Sequence, residues 1–213
     1  MRPYSGLADL DDLTLFAGKH EPDGEMCAME AVAWIANEPW SDHPRCASPV
    51  IASFMRSWND GCSTNEIRTR WLKPLLVAVA ESGGANRALE LTRSYLALDW
   101  LLREYMPVWM DLVPQLMEHG ERLRGSAPAL SPETIQMILP VVRNGCDVAR
   151  VAAWAAARAA AGDAAWDVAG AAAWATAWDA AWNAARSILQ PTIEILQASA
   201  QALVLRMLEV REG

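Results

Sequence analysis

The sequence lacks the features that mark several common classes of protein. Its longest charge-free stretches, Val168–Trp178 and Ile195–Leu205, have eleven residues each, whereas a helix needs about 20 apolar residues to span a bilayer. Three acidic residues, Asp9, Asp11 and Asp12, stand near the N-terminus, so we expect no secretory signal peptide. Four cysteines among 213 residues are too few for a disulfide scaffold. These absences predict a soluble protein of the cytoplasm with no membrane-spanning part.

Positive charge is also scarce. The chain has 18 lysine and arginine residues against 26 acidic residues, a formal net charge of −8. Because proteins that bind the phosphate backbone need a basic surface, this balance argues against a nucleic-acid partner. Residues 1–62 carry ten acidic and four basic residues, so most of the excess lies in the N-terminal third. An acidic solvated surface is the favoured interpretation of this third, and a basic partner is the alternative.

The fold class follows from what remains. Hydrophobic residues make up 53% of the chain and charged residues 21%, which excludes an intrinsically disordered protein. Strand-like alternation is almost absent and helix-forming residues dominate. We therefore predict a single all-α domain, residues 1–213, built as a bundle of eight to nine helices. A linker-like segment at 120–131 offers a subdivision into 1–120 and 132–213. The predicted helices cover 23–37, 48–61, 63–82, 86–106, 107–120, 132–144, 146–161, 163–189 and 191–210.

One predicted helix is marked in detail by its sequence. Ser48 and Pro49 read as an N-cap followed by a first-turn proline, and the helix ends at Gly61. The 48–61 helix repeats its apolar residues at the spacing of one buried face: Ile51, Phe54, Met55 and Trp58.

Another predicted helix contains a candidate ion pair. Asp99 and Arg103 are four residues apart and can pair across one helical turn.

Alanine and tryptophan dominate the C-terminal half. From Ala149 to Arg186, 21 of 38 residues are alanine, and we expect a helical hairpin that breaks at Gly162-Asp163. This tract resembles alanine-rich predicted bacterial immunity proteins, a likeness of composition. A stacking platform for bases or another flat ligand is one interpretation, and a packing or self-association seam is the favoured one. Five tryptophans share a four-residue register: Trp154, Trp166, Trp174, Trp178 and Trp182.

The stretch with the highest density of metal-binding and reactive side chains combines histidine and cysteine. His20, Cys27, His43 and Cys46 fall within 27 residues, and Cys62 follows in the loop after the next predicted helix. Two imidazoles and two thiolates are a tetrahedral ligand set for zinc. The spacing therefore suggests a zinc site formed by the first four residues, with Cys62 as an alternate ligand. Only the His43–Cys46 half has the close spacing typical of zinc fingers.

Two other interpretations of this stretch stay open. In one, the histidines order loops through hydrogen bonds and the cysteines are small buried hydrophobic residues. In the other, Cys27 lies in the first turn of its helix, where the helix dipole favours a thiolate nucleophile. His20 or His43 would then serve as the base, oriented by Asp42 or Glu30.

The same stretch carries a family resemblance. Asp23–Cys46, which reads DGEMCAMEAVAWIANEPWSDHPRC, resembles a family of uncharacterised actinobacterial and phage-associated helical proteins. The similarity extends through Trp58-Asn59-Asp60 and Leu72-Lys73-Pro74 and covers about a third of the chain. It implies a bacterial, cytoplasmic protein and carries no activity with it.

The sequence thus leads to two functional hypotheses. The first is a soluble helical interaction or regulatory module, bacterial or phage defence-related, which binds a protein partner or assembles with itself through the alanine–tryptophan helices. The second is a metal-binding protein or enzyme that uses the zinc site at His20, Cys27, His43 and Cys46. No Gly-rich phosphate loop and no Ser-His-Asp set occurs in the sequence, so the catalytic residues of any enzyme stay unknown.

Overall fold

A computed structural model of the chain describes residues 10–22, 24–84, 86–164 and 171–210, with side chains described outside 152–188. It is all-helical, with 72% of residues in helices and no strand among the described residues, which confirms the all-α prediction. No described helix is long and apolar enough to cross a membrane. The five tryptophans of the alanine–tryptophan tract lie outside the residues whose side chains are described.

The helices vary widely in length. Of the α-helices in the described ranges, seven have eight residues or more and two have only five. Counted by the longer helices, the expected number of eight to nine is slightly too high. The α-helices are α1 (Ala28–Ile35), α2 (Pro49–Gly61), α3 (Asn65–Leu72), α4 (Leu76–Ala80), α5 (Arg87–Trp100), α6 (Met106–Met110), α7 (Met117–Arg124), α8 (Pro132–Ala164) and α9 (Ala171–Glu209). Short 3-10 turns cover Leu10–Asp12, Lys73–Leu75 and Pro114–Leu116, and a π-helical turn covers Leu101–Tyr105.

The count falls because helices continue through residues expected to end them. We predicted an end at Asn144-Gly145, yet α8 runs through both residues and through Gly162 to Ala164. The absent side chain of Gly145 instead permits close packing. A Cβ there would lie 3.2 Å from Met110 Cε and 3.6 Å from His119 Cβ. Likewise, the last helix does not begin at Pro191, because α9 runs through that proline without a break.

Proline is also accommodated between α5 and α6. We expected a helix to end before Pro107, but the helical path continues through it to Met110. Proline has no backbone N–H and cannot close the usual helical hydrogen bond. The five-residue π-helical turn Leu101–Tyr105 lies immediately before α6. Such turns occur where the regular hydrogen-bond ladder of a helix is interrupted.

The chain forms two compact units. The first unit combines residues up to Ala97 with residues from Ala198 onward. At its centre is α1, seven of whose eight residues are buried and which packs against α2 and α4. A helix that is buried on nearly all sides occupies such a central position. In α2, Ile51, Met55 and Trp58 are buried and Phe54 is half-buried, so the predicted face is confirmed.

The second unit comprises Leu98–Gln197 and has its own core. Asp99 is a buried acidic residue beside that core, and its Oδ1 accepts a hydrogen bond from the backbone N–H of Ala129 at 2.8 Å. Its predicted pairing with Arg103 is confirmed at 3.4 Å. The segment 120–131, expected to divide the chain, lies within this unit. The core residues are Leu102, Met110, Leu116, Leu123, Ala129 and Ile138.

Candidate functional site

Glu30 is the most deeply placed acidic residue of the described chain, and α1 fixes its position. It is fully buried at the third position of the helix, and Cys27 is the N-cap. The Cys27 Sγ accepts the Glu30 backbone N–H at 3.4 Å, and Glu30 Oε2 accepts the Cys27 backbone N–H at 2.8 Å. Because the first N–H groups of a helix have no partner within it, this capping box satisfies two backbone donors.

The Glu30 carboxylate also binds His20. Its Oε1 accepts the His20 backbone N–H at 2.7 Å, and its Oε2 lies 3.0 Å from His20 Nδ1. The imidazole is 12% exposed, and its Nε2 lies 3.7 Å from Oε2 of the more exposed Glu25. The Trp40 indole N–H donates to the His20 carbonyl oxygen at 2.8 Å. His20 therefore joins the segment before α1 to the residues that follow it.

The surroundings of the Cys27 thiol favour its protonated form. Burial raises its pKa to about 12, and hydrogen bonds from the backbone N–H groups of Glu30 and Met29 offset this only in part. One of the open sequence interpretations made Cys27 a thiolate favoured by the helix dipole, and the raised pKa argues against that interpretation. At this N-cap position, the loss of hydration on burial raises the pKa of the thiol more than the helix dipole lowers it. The negative charge of the Glu30 carboxylate also raises the pKa of the thiol.

The other predicted zinc ligands contact different neighbours. His43 is an exposed residue whose Nδ1 lies 2.9 Å from Asp42 Oδ1. The Cys46 Sγ is 4.0 Å from the carbonyl oxygen of Val32. Cys62 is buried at the C-terminal end of α2, where burial raises the pKa of its thiol to about 11. Burial also raises the pKa of the Cys46 thiol above its ordinary value.

These positions bear directly on the zinc hypothesis. The structure brings His20 and Cys27 to a common partner, Glu30. It places His43 and Cys46 against separate groups. Within the described ranges, no three His, Cys, Asp or Glu residues form a group that could hold a metal ion. Zinc binding by His20, Cys27, His43 and Cys46, or by Cys62, stays a prediction to be tested on the purified protein.

Sequence reasoning missed the polar residues that organise the first unit, and Asn59 is the first of these. It is 1% exposed, and its Oδ1 accepts the Ala28 backbone N–H at 3.1 Å. Its Nδ2 donates to the Phe16 carbonyl oxygen at 3.0 Å. Arg68 then donates to the carbonyl oxygens of Asn59 (2.7 Å) and Cys62 (2.9 Å) at the end of α2. In sequence, Asn59-Asp60-Gly61 signals only a turn.

A second missed network surrounds Glu90 on α5. Its Oε2 accepts the Ser48 hydroxyl at 2.7 Å, and its Oε1 accepts Arg93 NH1 at 2.7 Å. Arg93 is 4% exposed and also donates to the carbonyl oxygens of Ser82 (3.2 Å) and Met207 (3.1 Å). The network links the start of α2 to α5 and the C-terminal end of α9. No local sequence pattern signals contacts over 114 residues.

Comparisons with known proteins identify no relative of the chain. No family model, no curated protein and no solved structure matches the chain. The resemblance of Asp23–Cys46 to actinobacterial and phage-associated proteins therefore stays an expectation from the sequence. The function has to be argued from the chain's own residues.

Proposed function

We propose that this chain is a helical interaction protein that associates with a second copy of itself through the exposed face of α8. The observation that carries the proposal is the exposure of Met137 (64%) and Val151 (68%) on that helix. Fourteen residues separate them, so they lie within ~40° of each other around the helix and ~21 Å apart along it. Exposed apolar side chains that share a helix face are typical of protein interfaces.

The charge of α8 favours a second copy as the partner. The helix carries three acidic and three basic residues, whereas the chain has a net charge of −8. In a two-fold symmetric pair each copy offers the same patch to the other, so like charge on that patch would oppose assembly. A neutral α8 avoids that repulsion. Alanine is also the commonest residue of 149–186, the composition on which the expected self-association seam depends.

The polar chemistry of the first unit supports a non-catalytic role. Glu30 is occupied by His20 and Cys27, and the Cys27 thiol has a raised pKa. Catalytic groups need a pKa matched to their task and access to substrate. These residues are instead engaged in holding the segment before α1. We further propose a cytoplasmic setting, since the four cysteines are all unpaired. A regulatory role in bacterial or phage defence is the context that the sequence resemblances imply.

Sedimentation velocity over a wide range of protein concentration tests the proposal. We expect a reversible monomer–dimer equilibrium that Met137→Glu and Val151→Glu shift at least tenfold toward monomer. Val77→Glu is the matched control, because Val77 is 49% exposed on α4 of the first unit. A monomer at every concentration would refute self-association. An equal shift with Val77→Glu would show that α8 is not the contact surface.

A further inference from the structure

A cleft beside the start of α2 has a charge opposite to that of the protein around it. It encloses about 330 Å³ and is lined by His43, Pro44, Arg45, Ala47, Pro49, Ala52 and Arg56. No carboxylate is among these lining residues, although residues 1–62 carry ten acidic side chains. Small-molecule sites are concave and mostly apolar, with a few polar groups that orient the ligand. The cleft has this composition.

The two arginines of the cleft form no ion pair among the residues that the structure describes. Neither Arg45 nor Arg56 has a carboxylate within ion-pair distance in the part of the chain that the structure describes. Arg56 NH1 donates to a neutral acceptor, the Asp42 carbonyl oxygen, at 3.1 Å. Glu38 approaches only the backbone N–H of Arg45, at 2.7 Å. Both guanidinium groups therefore keep their charge available to an anion.

The loop that carries His43 is held in place before any ligand arrives. The Ser41 hydroxyl accepts the His43 backbone N–H at 3.0 Å, and Asp42 Oδ1 engages His43 Nδ1 at 2.9 Å. The imidazole Nε2 is left for a further partner. At the far end of the loop, the Gly83 backbone N–H donates to the Cys46 carbonyl oxygen at 2.7 Å. A loop whose backbone is already held in place loses less entropy when a ligand binds.

From these features we infer that the cleft binds a small organic phosphate. The phosphate would contact Arg45, Arg56 and His43, and a compact apolar body would lie against the prolines and alanines of the wall. Two planar guanidinium groups suit the oxygens of a phosphate dianion better than the single charge of a carboxylate. The inference is independent of the proposed self-association, because it concerns only residues of the first unit.

Titration of the full chain with phenyl phosphate, followed by ¹H–¹⁵N NMR, tests the inference. We expect saturable shifts centred on the amides of residues 42–56, with one ligand bound per chain. Inorganic phosphate, which lacks the apolar body, and benzoate, which lacks the second charge, should each bind at least tenfold more weakly. Binding of benzoate as tight as that of phenyl phosphate would overturn the phosphate assignment, and the absence of saturable shifts would overturn the site.

Substitutions distinguish binding of phenyl phosphate in this cleft from its general attraction to any positive charge on the protein. Arg56→Gln and Arg45→Gln should each weaken phenyl phosphate binding about tenfold or more. The Arg45 side chain is exposed and makes no hydrogen bond within the described ranges, so Arg45→Gln should leave folding intact. Arg87→Gln, at an exposed position of α5, is the matched control. Equal weakening by Arg87→Gln, or no weakening by the two cleft variants, would refute the inference.

Discussion

Glu30 binds His20 twice, through the backbone N–H at 2.7 Å and through the imidazole Nδ1 at 3.0 Å. The same carboxylate closes the capping box with Cys27. One fully buried side chain thus fixes both the segment that leads to α1 and the first turn of the helix. A buried carboxylate is stable only when its oxygens are well satisfied, so removing its acceptor capacity should be costly.

Replacement of Glu30 tests this role. Glu30→Gln replaces one of the two accepting oxygens with an NH₂ group, which donates instead. We expect the free energy of unfolding to fall by about 3 kcal/mol. Urea denaturation of the full chain measures this change. Glu21→Gln, at an exposed position next to His20 in the same segment, should leave stability within about 0.5 kcal/mol. Equal stability of the two variants would mean that Glu30 does not hold this segment.

Alkaline pH should destabilise the fold through Cys27. The folded thiol has its pKa raised from 9.0 to about 12, so the folded chain keeps a proton that the unfolded chain releases. The stabilising contribution is complete below pH 9 and is lost as the pH rises toward 12. The free energy of unfolding, measured by urea denaturation at increasing pH, should therefore fall more steeply for the natural chain than for Cys27→Ala. The control variant Cys146→Ala, at an exposed position, should keep the natural slope. The same slope in all three proteins would contradict the assignment.

Thiol reactivity should separate the exposed cysteine from the two buried ones. Cys146 is exposed, whereas Cys27 and Cys62 are buried with raised pKa values. Because the thiolate is the reactive form, we expect Ellman's reagent to modify Cys146 first and the two buried thiols only after unfolding. Cys146→Ala should remove the fast phase. Rapid modification of Cys27 in the native protein would instead restore the interpretation of a reactive thiol.

Gly83 should tolerate no side chain. A Cβ at this position would lie 2.5 Å from the Cys46 carbonyl oxygen, the atom to which the Gly83 N–H donates. We expect Gly83→Ala to lower the free energy of unfolding by about 2–3 kcal/mol, since backbone must move to relieve the overlap. Gly61→Ala is the control, because nothing lies within 4 Å of a Cβ there. Thermal melts of the two variants that coincide would show that the loop moves freely.

The zinc hypothesis has a direct test. If His20, Cys27, His43 and Cys46 form a site, elemental analysis of protein purified without chelator should find about one zinc per chain. Cys46→Ala should then lose the metal, and Cys146→Ala should retain it. Binding would have to bring His43 and Cys46 together with His20 and Cys27, because zinc–ligand bonds are ~2.0–2.3 Å. Protein that contains no zinc would remove the hypothesis.

Local patterns predicted parts of the fold well. The Ser48-Pro49 start, the buried face of α2 and the Asp99–Arg103 pair are all confirmed. Each depends on residues within one or two helical turns, where capping and side-chain spacing act directly. The all-α class follows similarly from the absence of strand patterns along the chain.

Features that depend on distant partners could not be predicted. Gly145 reads as a helix end in sequence, but its lack of a side chain serves close packing near Met110 and His119. Cys27 could be assigned to the N-terminal end of a helix, yet the pKa of its thiol depends on burial by other elements. Arg45 and Arg56 line one cleft although eleven residues separate them. That neither has a carboxylate partner among the described residues is visible only in three dimensions.

The link between Arg93 and Met207 sets the order of events during synthesis. Arg93 binds the Met207 carbonyl oxygen at the end of α9, and Gln201 donates to the Trp71 carbonyl oxygen at 3.2 Å. Buried Leu203, Val204 and Met207 belong to the same unit as α1. Domains usually fold from the N-terminal side as they leave the ribosome. The first unit therefore cannot be completed until residues from Ala198 onward have been translated. We therefore expect chaperones to bind mainly to the N-terminal part of the chain during its synthesis.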